Sequence, residues 1–155
     1  MIYVFDTSTL VNIFNHYYPG RFPSFWDNFN GFISEQTIIS VQEVRRELEA
    51  KGDKLSDWVK SHKELFLPPN AEESSFITEI FKVEHFRILI QKKRRYIKGP
   101  AADPFIIAKA KISSACVVTQ EKNTEGAAKI PNVCDHFGIP CINLEGFMEK
   151  ENWTF

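Results

Sequence analysis

The chain has 155 residues, a size at which one domain is expected and about 70% of the surface of the unfolded chain is buried. Hydrophobic residues make up 43% of the sequence and charged residues 25%, which are the proportions of an ordinary globular protein and argue against disorder. The formal net charge of −1 excludes a protein that holds nucleic acid by bulk positive charge, so such a contact would need a local patch or carboxylate-bound metal ions.

Three features bear on where the protein resides. No uninterrupted apolar run approaches the ~18 residues that a membrane span requires, so we expect no membrane association. The first residues, Met1–Asp6, contain neither a basic leader nor a small-residue cleavage site, so we expect no secretory signal. The three cysteines have no disulfide-framework spacing, which indicates the reducing cytoplasm.

The N-terminal half alternates strand and helix patterns. Ile2–Phe5 is a continuous apolar run, typical of a strand buried on both faces of a parallel sheet, and it leads directly into Asp6. Thr7, Ser8 and Thr9 offer N-cap oxygens for the short helix that follows. Later patterns predict a strand at Thr37–Val41, a helix that ends at Gly52, a helix at Leu55–Lys63 and a long helical stretch with one break at Ala71–Lys98.

An aromatic face is predicted between the first two strands. Aromatic residues recur there at three- and four-residue spacing, as on one side of an amphipathic helix: Phe22, Phe25, Trp26, Phe29 and Phe32. Burial tendencies favour packing of this face into the core. The alternative is a partner groove or the surface of a homodimer.

The C-terminal half continues the alternation. Asp103 suits the N-cap of a helix whose first position is Pro104, where the missing N–H costs nothing. The remaining predicted elements are a strand at Ala115–Thr119, a polar loop at Glu121–Lys129, a helix at Val133–Phe137 ended by Gly138, and a last strand at Pro140–Asn143. We therefore expect a single α/β domain over residues 1–155, built around a mostly parallel sheet.

Four acidic residues are predicted to meet at one edge of this sheet. Asp6 follows the first strand directly, and Glu121 lies two residues after the third strand. Asp103 opens the helix before that third strand, and Glu47 lies on the helix after the second strand, one turn beyond Glu43. Because ligand sites of open parallel sheets lie outside the carboxyl ends of the strands, these side chains can converge on one rim.

Converging carboxylates favour a metal site. They repel one another and raise each other's pKa values, and a bound cation removes that conflict. Oxygen ligands of this kind suit Mg²⁺ or Mn²⁺, whereas the four histidines are scattered without a paired spacing, so zinc is poorly supported. Such a metal would polarise a phosphodiester and lower the pKa of a bound water.

Each acid also has a structural interpretation. Asp103 is an N-cap, a metal ligand or both, and a lone Glu43 or Glu47 is most often a solvated helix residue. Glu121, next to Lys122, has the surroundings of a loop residue, and its position alone does not indicate a metal site. Asp6 is the sharpest signal, because a charged residue at the end of a buried apolar run is uncommon unless it is paired or lies at a site.

Four segments carry a family resemblance that covers nearly the whole chain. They are Val4-Phe5-Asp6-Thr7-Ser8, Val44-Arg45-Arg46-Glu47-Leu48, Asp103-Pro104-Phe105-Ile106-Ile107-Ala108-Lys109-Ala110 and Val117-Val118-Thr119-Gln120-Glu121. In this order they resemble the PIN-domain ribonucleases, including the VapC-type toxins of toxin–antitoxin pairs. The resemblance implies a flavodoxin-like, three-layer α/β/α sandwich and a Mg²⁺- or Mn²⁺-dependent endonuclease that acts on RNA. Its role would be either that of a toxin with an antitoxin protein as partner or that of an enzyme of RNA processing and decay.

The resemblance also implies a role for each matching residue. Asp6, Asp103 and Glu121 would hold the metal, and Glu47 would orient or deprotonate the attacking water. Ser8 would support a metal-bound water or the phosphate, with Thr119 in a similar role.

Two assignments within this set stay open. Glu43 is an alternative to Glu47, which we favour because it directly precedes the Leu48 of the family pattern. The family usually has Thr-x-Asp where this chain has Thr119-Gln120-Glu121, and Glu125 is an alternative fourth acid.

A run of four cationic residues is a candidate RNA contact, and two functions other than a ribonuclease are also considered. Lys92, Lys93, Arg94 and Arg95 suit the RNA backbone or, equally, the solvated end of a helix. One competing function is a phosphohydrolase with Asp6 as covalent nucleophile, although Ser8 stands where that chemistry has a second acid. The other is a non-catalytic binding module of the same fold.

Overall fold

A five-stranded parallel sheet forms the centre of the fold in the computed structural model, which describes residues 1–88 and 101–155. The strands are β1 (Tyr3–Phe5), β2 (Ile38–Val41), β3 (Phe66–Leu67), β4 (Cys116–Val118) and β5 (Cys141–Ile142). Their order across the sheet is β3-β2-β1-β4-β5, and every neighbouring pair is parallel. The chain thus builds outward from β1 to β3, returns to the other side of β1 as β4, and ends at β5.

Helices connect the strands in the described residues. They are α1 (Thr7–His16), α2 (Pro23–Ser34), α3 (Gln42–Glu49), α4 (Lys54–Ser61), α5 (Ala71–Lys82), α6 (Asp103–Ile112), α7 (Ile130–Phe137) and α8 (Leu144–Glu151), with a 3₁₀ turn at Lys63–Leu65. Residues 84–88 are also helical. None of the helices in residues 1–88 and 101–155 combines the length and the apolar character that crossing a membrane would require.

Both faces of the sheet are covered. Successive strand residues point to opposite faces, and Val4 and Phe5 are both fully buried. On one face the Phe5 ring contacts Phe29 of α2 and Phe147 of α8, with ring centroids 5.9 and 5.2 Å apart. The crossovers from β3 to β5 contribute α5, α6 and α7, which pack on one another. The expected α/β sandwich with a parallel central sheet is confirmed.

The aromatic face of α2 is part of the core. Phe25, Trp26 and Phe29 are buried, and Phe22 and Phe32 pack against them while remaining partly exposed. The core interpretation of these five rings is therefore confirmed.

Two elements escaped prediction. β3 has only two residues, too few to produce a strand pattern, and α8 buries only Leu144 and Phe147. The break expected in the stretch from Ala71 to Lys98 falls at Val83, after α5 ends at Lys82. The part of that stretch beyond residue 88, including Lys92, Lys93, Arg94 and Arg95, lies outside the described residues.

Both predicted helix caps are shifted by one or more residues. The N-cap of α1 is Asp6 rather than one of the hydroxyl residues after it, because the Asp6 carboxylate accepts the N–H of Thr9. The N-cap of α6 is Ala102, and Asp103 is its first helical residue. Ala102 has helical dihedral angles, and its side chain makes no capping hydrogen bond. Its N–H donates to Glu47 of α3.

Candidate active site

The Asp6 carboxylate lies at the point where the strand order of the sheet reverses. Asp6 directly follows β1, and its N–H binds the carbonyl oxygen of Val118 in the neighbouring β4. From β1 the chain continues to β2 on one side, and β4 lies on the other. In open α/β sheets this crevice, at the carboxyl ends of the strands, is where ligands bind.

Three hydroxyl groups and one backbone amide surround Asp6, which is only 4% exposed. Its Oδ1 accepts the N–H of Thr9 at 2.9 Å and the Thr9 hydroxyl at 2.8 Å. Its Oδ2 accepts the Thr119 hydroxyl at 2.6 Å, and the Ser8 hydroxyl lies 2.9 Å from both oxygens. The carboxylate is therefore buried, and both of its oxygens accept hydrogen bonds.

Backbone amides of the segment after β4 direct two of these hydroxyls toward Asp6. The N–H of Gln120 donates to the Ser8 oxygen, and the N–H of Glu121 donates to the Thr119 oxygen, both at 3.1 Å. Since a hydroxyl has one hydrogen and two acceptor sites, an oxygen that accepts from an amide can turn its own hydrogen to the carboxylate. The 119–121 segment thereby orients the Asp6 side chain.

Two opposing effects act on the Asp6 charge. Burial raises the pKa of Asp6, whereas the hydrogen bonds from Thr119, Thr9 and Ser8 favour the ionised form and oppose that rise. The net pKa is raised, so the ionised carboxylate lacks part of the stabilisation that water would give it. A cation at this edge would supply it.

Glu47 connects the segments of two other predicted acids. Its Oε2 accepts the hydroxyl of Thr7, the residue after Asp6, at 2.7 Å. Its Oε1 accepts the N–H of Ala102, the residue before Asp103, at 3.2 Å. Asp103 itself is half-buried at the first position of α6. The segments of Asp6, Glu47 and Asp103 thus meet through direct hydrogen bonds.

Glu121 lies on the β4 side of the site. Its Oε2 accepts the N–H of Ile130 at the start of α7, at 3.0 Å. Both Glu121 and Thr119 line a cleft of about 430 Å³ beside the ends of β4 and β5. Thr119, which accepts from the Glu121 amide and donates to Asp6, is the link between this cleft and the buried carboxylate.

The two alternative acids occupy different surroundings. Glu43 is 2% exposed, so it is not the solvated helix residue that its position favoured, and its Oε2 lies 3.7 Å from Nη1 of Arg46. Its Oε1 has no hydrogen-bond partner in the described structure. Glu125 is exposed in the loop before α7. Between Glu43 and Glu47, it is Glu47 that forms hydrogen bonds with the Asp6 and Asp103 segments.

The carboxylate oxygens at this edge are ligands that suit a hard cation such as Mg²⁺, although they do not form a complete coordination shell. In residues 1–88 and 101–155, no three His, Cys, Asp or Glu side chains form a group that could hold a metal ion unaided. Mg²⁺, however, is usually bound by one or two carboxylates together with water and substrate phosphate. An open site of that kind, based on Asp6, fits the all-oxygen chemistry of this edge.

Sequence reasoning missed three residues that organise the site. Thr9 was predicted only as a cap, yet it binds Asp6 through its amide and its hydroxyl. Thr7 binds Glu47, and the side-chain oxygen of Gln120 accepts the N–H of Leu144 at the start of α8. The run of three hydroxyl residues after a buried acid was a usable signal, because a buried carboxylate needs donors.

A comparison with protein-family models places this chain. One family matches residues 3–155, a range that includes all five strands and all four predicted acids. The chain belongs to DUF4411. This family is described as a domain of unknown function. No curated protein matches the DUF4411 chain at a significant level.

Proposed function

We propose that this protein is a Mg²⁺- or Mn²⁺-dependent endoribonuclease that hydrolyses RNA phosphodiester bonds. The observation that carries the proposal is the buried Asp6 carboxylate at the reversal point of the sheet. It accepts a hydrogen bond from Thr119 of the Glu121 segment, and Glu47 accepts hydrogen bonds from the residue after Asp6 and the residue before Asp103. A buried acid with half-buried acids from three distant segments at this edge is better explained by a bound cation and an anionic substrate than by stability.

The metal is assigned to the acidic residues of the edge. Asp6, Asp103 and Glu121 are the residues that would hold it, together with water and substrate phosphate, since no three acidic, His or Cys side chains of the described residues form a group that could hold an ion. When bound, a divalent ion polarises a phosphodiester, lowers the pKa of water and stabilises the leaving oxygen. Ser8 and Thr119 keep the Asp6 oxygens in place through the hydrogen bonds that they donate.

Glu47 is assigned to the attacking water. An ionised carboxylate has about four acceptor sites, and the hydroxyl of Thr7 and the N–H of Ala102 use two of them. These two contacts fix the carboxylate, and its other sites are left to accept a hydrogen from water. No covalent nucleophile is required, since a water oriented by Glu47 attacks the phosphorus in line.

Cleavage of labelled single-stranded and structured RNA tests the proposal. With Mg²⁺ or Mn²⁺, the wild-type protein is expected to cleave, and a chelator is expected to stop it. Asp6→Asn and Asp103→Asn should each lower the rate at least ~100-fold, because each removes a charge that the ion requires. Asp57→Asn, at an exposed position of α4, is the matched control and should leave the rate unchanged. Wild-type rates in folded Asp6→Asn and Asp103→Asn proteins would contradict the proposal.

Two further experiments address its alternatives. A beryllofluoride adduct on Asp6 would indicate the phosphohydrolase with a covalent aspartyl intermediate. Growth arrest on expression, relieved by co-expression of an adjacent small gene, would support the toxin role, which rests on the family resemblance alone.

A further inference from the structure

The cleft beside Thr119 is a second feature of the same sheet edge. It has a volume of about 430 Å³ and lies at the carboxyl ends of β4 and β5. This volume is within the ~300–1,000 Å³ of small-molecule sites, and it exceeds what a hydrated metal ion needs. The cleft therefore has room for an organic part of the substrate.

Three apolar residues are among those that line the cleft, and we call them its apolar wall. Pro131 belongs to α7 and Ile142 to β5, and Ile139, in the short connection between these two elements, is 6% exposed. The carbonyl oxygen of Ile142 accepts the N–H of Thr119, which ties this wall to the end of β4. A wall of this kind suits the face of a planar, weakly polar ring.

The rim of the cleft is polar and rich in acceptors. Glu121 and Asp135 contribute carboxylates, Asn123 and Asn143 contribute amides, and Lys122 contributes an exposed cation. Ionised carboxylates only accept hydrogen bonds, so they favour a ring that presents N–H groups. Among the RNA bases, adenine, cytosine and guanine carry an exocyclic amino group with two N–H donors, whereas uracil offers only its single ring N3–H. A carboxylate accepts from an exocyclic amino group in known base contacts.

The position of the cleft links it to the proposed chemistry. Thr119 lines the cleft, and its hydroxyl donates to Asp6 Oδ2 at 2.6 Å. A base held in the cleft would therefore keep its own sugar–phosphate beside Asp6. Lys122, at the rim, suits a phosphate of the same strand.

We infer that this cleft binds the base of the nucleotide next to the scissile phosphodiester and selects bases that carry an exocyclic amino group. Asp135 is the selecting acceptor, and the wall of Pro131, Ile139 and Ile142 contacts the ring face. The inference rests on the proposed ribonuclease function and adds a substrate preference to it.

Titration of the ¹⁵N-labelled protein with AMP, CMP, GMP and UMP tests the inference without requiring hydrolysis. The Asp6→Asn protein is used with chelator present, so that metal and cleavage play no part. At least one of AMP, CMP and GMP should cause saturable shifts at residues 119–123 and 131–143, with an affinity at least ~10-fold higher than that of UMP. Asp135→Ala should bring that affinity down to the UMP value, whereas Asp57→Ala, at an exposed site on α4, should not change it.

The outcomes separate this inference from the ribonuclease proposal. Equal affinities for all four nucleotides, shifts confined to other surfaces, or no effect of Asp135→Ala would overturn the base subsite, even if the wild-type protein cleaves RNA. Selective binding at the cleft in a protein that cleaves no RNA would support the subsite and overturn the ribonuclease assignment.

Discussion

Asp6 is a charge that the fold keeps out of water without a salt bridge in the described structure. Its donors are three neutral hydroxyls and one amide, which offset only part of the desolvation, so its pKa remains raised. Stability alone would favour a neutral residue here. A carboxylate kept under these conditions is typical of a binding or catalytic site.

The raised pKa predicts how stability depends on pH. The folded protein holds the Asp6 proton more tightly than the unfolded chain does, so this contribution to the free energy of unfolding is complete below the ordinary Asp pKa and is lost as pH rises through the raised value. Asp6→Asn removes the charge. In chelator at pH 7 we expect this variant to be more stable than the wild type, because it has no charge to bury.

Urea denaturation of both proteins between pH 4 and pH 8 measures this difference. The difference in the free energy of unfolding between Asp6→Asn and the wild type should grow with pH, while Asp57→Asn should show the same pH dependence as the wild type. A wild-type protein that gains stability over Asp6→Asn as pH rises would show that the ionised carboxylate stabilises the fold.

Thr119 supports Asp6 through both hydrogen-bonding capacities of its hydroxyl. Thr119→Val keeps the shape of the side chain but removes a donor to Asp6 and an acceptor for the Glu121 amide. We expect a loss of about 1–3 kcal/mol in the free energy of unfolding and a ~10–100-fold loss of RNA cleavage. Denaturation and cleavage assays check both values. Thr78→Val, exposed on α5, is the control and should cost less than about 0.5 kcal/mol; an equal cost at the two positions would contradict this role.

At the scale of elements, a buried ion pair holds α6, the helix that begins with Asp103, against α5. Lys109 Nζ lies 2.8 Å from Glu73 Oε1 and also donates to the carbonyl oxygen of Pro68, and the two charged side chains are 7% and 3% exposed. Glu73 also takes part in the capping box of α5 with Asn70. Lys109 therefore links α6 to the start of α5 and to the residue that follows β3.

Breaking this pair should be costly because it leaves a buried charge unpaired. Lys109→Ala is expected to lower the free energy of unfolding by about 3–5 kcal/mol. The exposed pair of Lys82 and Glu79 has the same 2.8 Å separation, so Lys82→Ala is a matched control that should cost less than about 1 kcal/mol. Denaturation of both variants measures the contrast, and similar costs would show that burial does not govern the Lys109–Glu73 pair.

The elements that sequence reasoning predicted are those with long or distinctive patterns. The apolar run before Asp6, the aromatic spacing of α2 and the Gly138 stop of α7 each left a clear local signal, and Gly138 does adopt a left-handed conformation with φ of 68°. β3 left no such signal, because a strand of two residues is too short to show the alternation of buried and exposed side chains. The N-cap of α6 was misplaced at Asp103, because the cap residue is Ala102, whose N–H donates to Glu47, 55 positions away in sequence.

At the scale of the whole molecule, the sequence predicted that acids would lie at one edge but not how they are connected. Strand ends and helix starts are local features, and the parallel sheet brings them together. The contact between Thr119 and Asp6 joins residues 113 positions apart, and no local pattern encodes it. The same holds for the cleft next to Glu121, whose walls come from α7 and β5.

Metal binding by the folded protein should be visible in its stability. A ligand that binds only the folded state at 100 times its Kd raises the free energy of unfolding by about 2.7 kcal/mol. We expect Mn²⁺ to raise the melting temperature of the wild type and to leave that of Asp6→Asn nearly unchanged, as measured by thermal denaturation. An equal rise in both proteins would locate the ion away from Asp6.

The most direct test of a divalent-ion site at this sheet edge is a crystal structure of the protein soaked in Mn²⁺, with anomalous data. We expect a manganese peak that contacts the carboxylates of Asp6 and Asp103. Manganese bound only at other positions, or none near Asp6 at saturating Mn²⁺, would contradict the assignment of this edge as the catalytic centre.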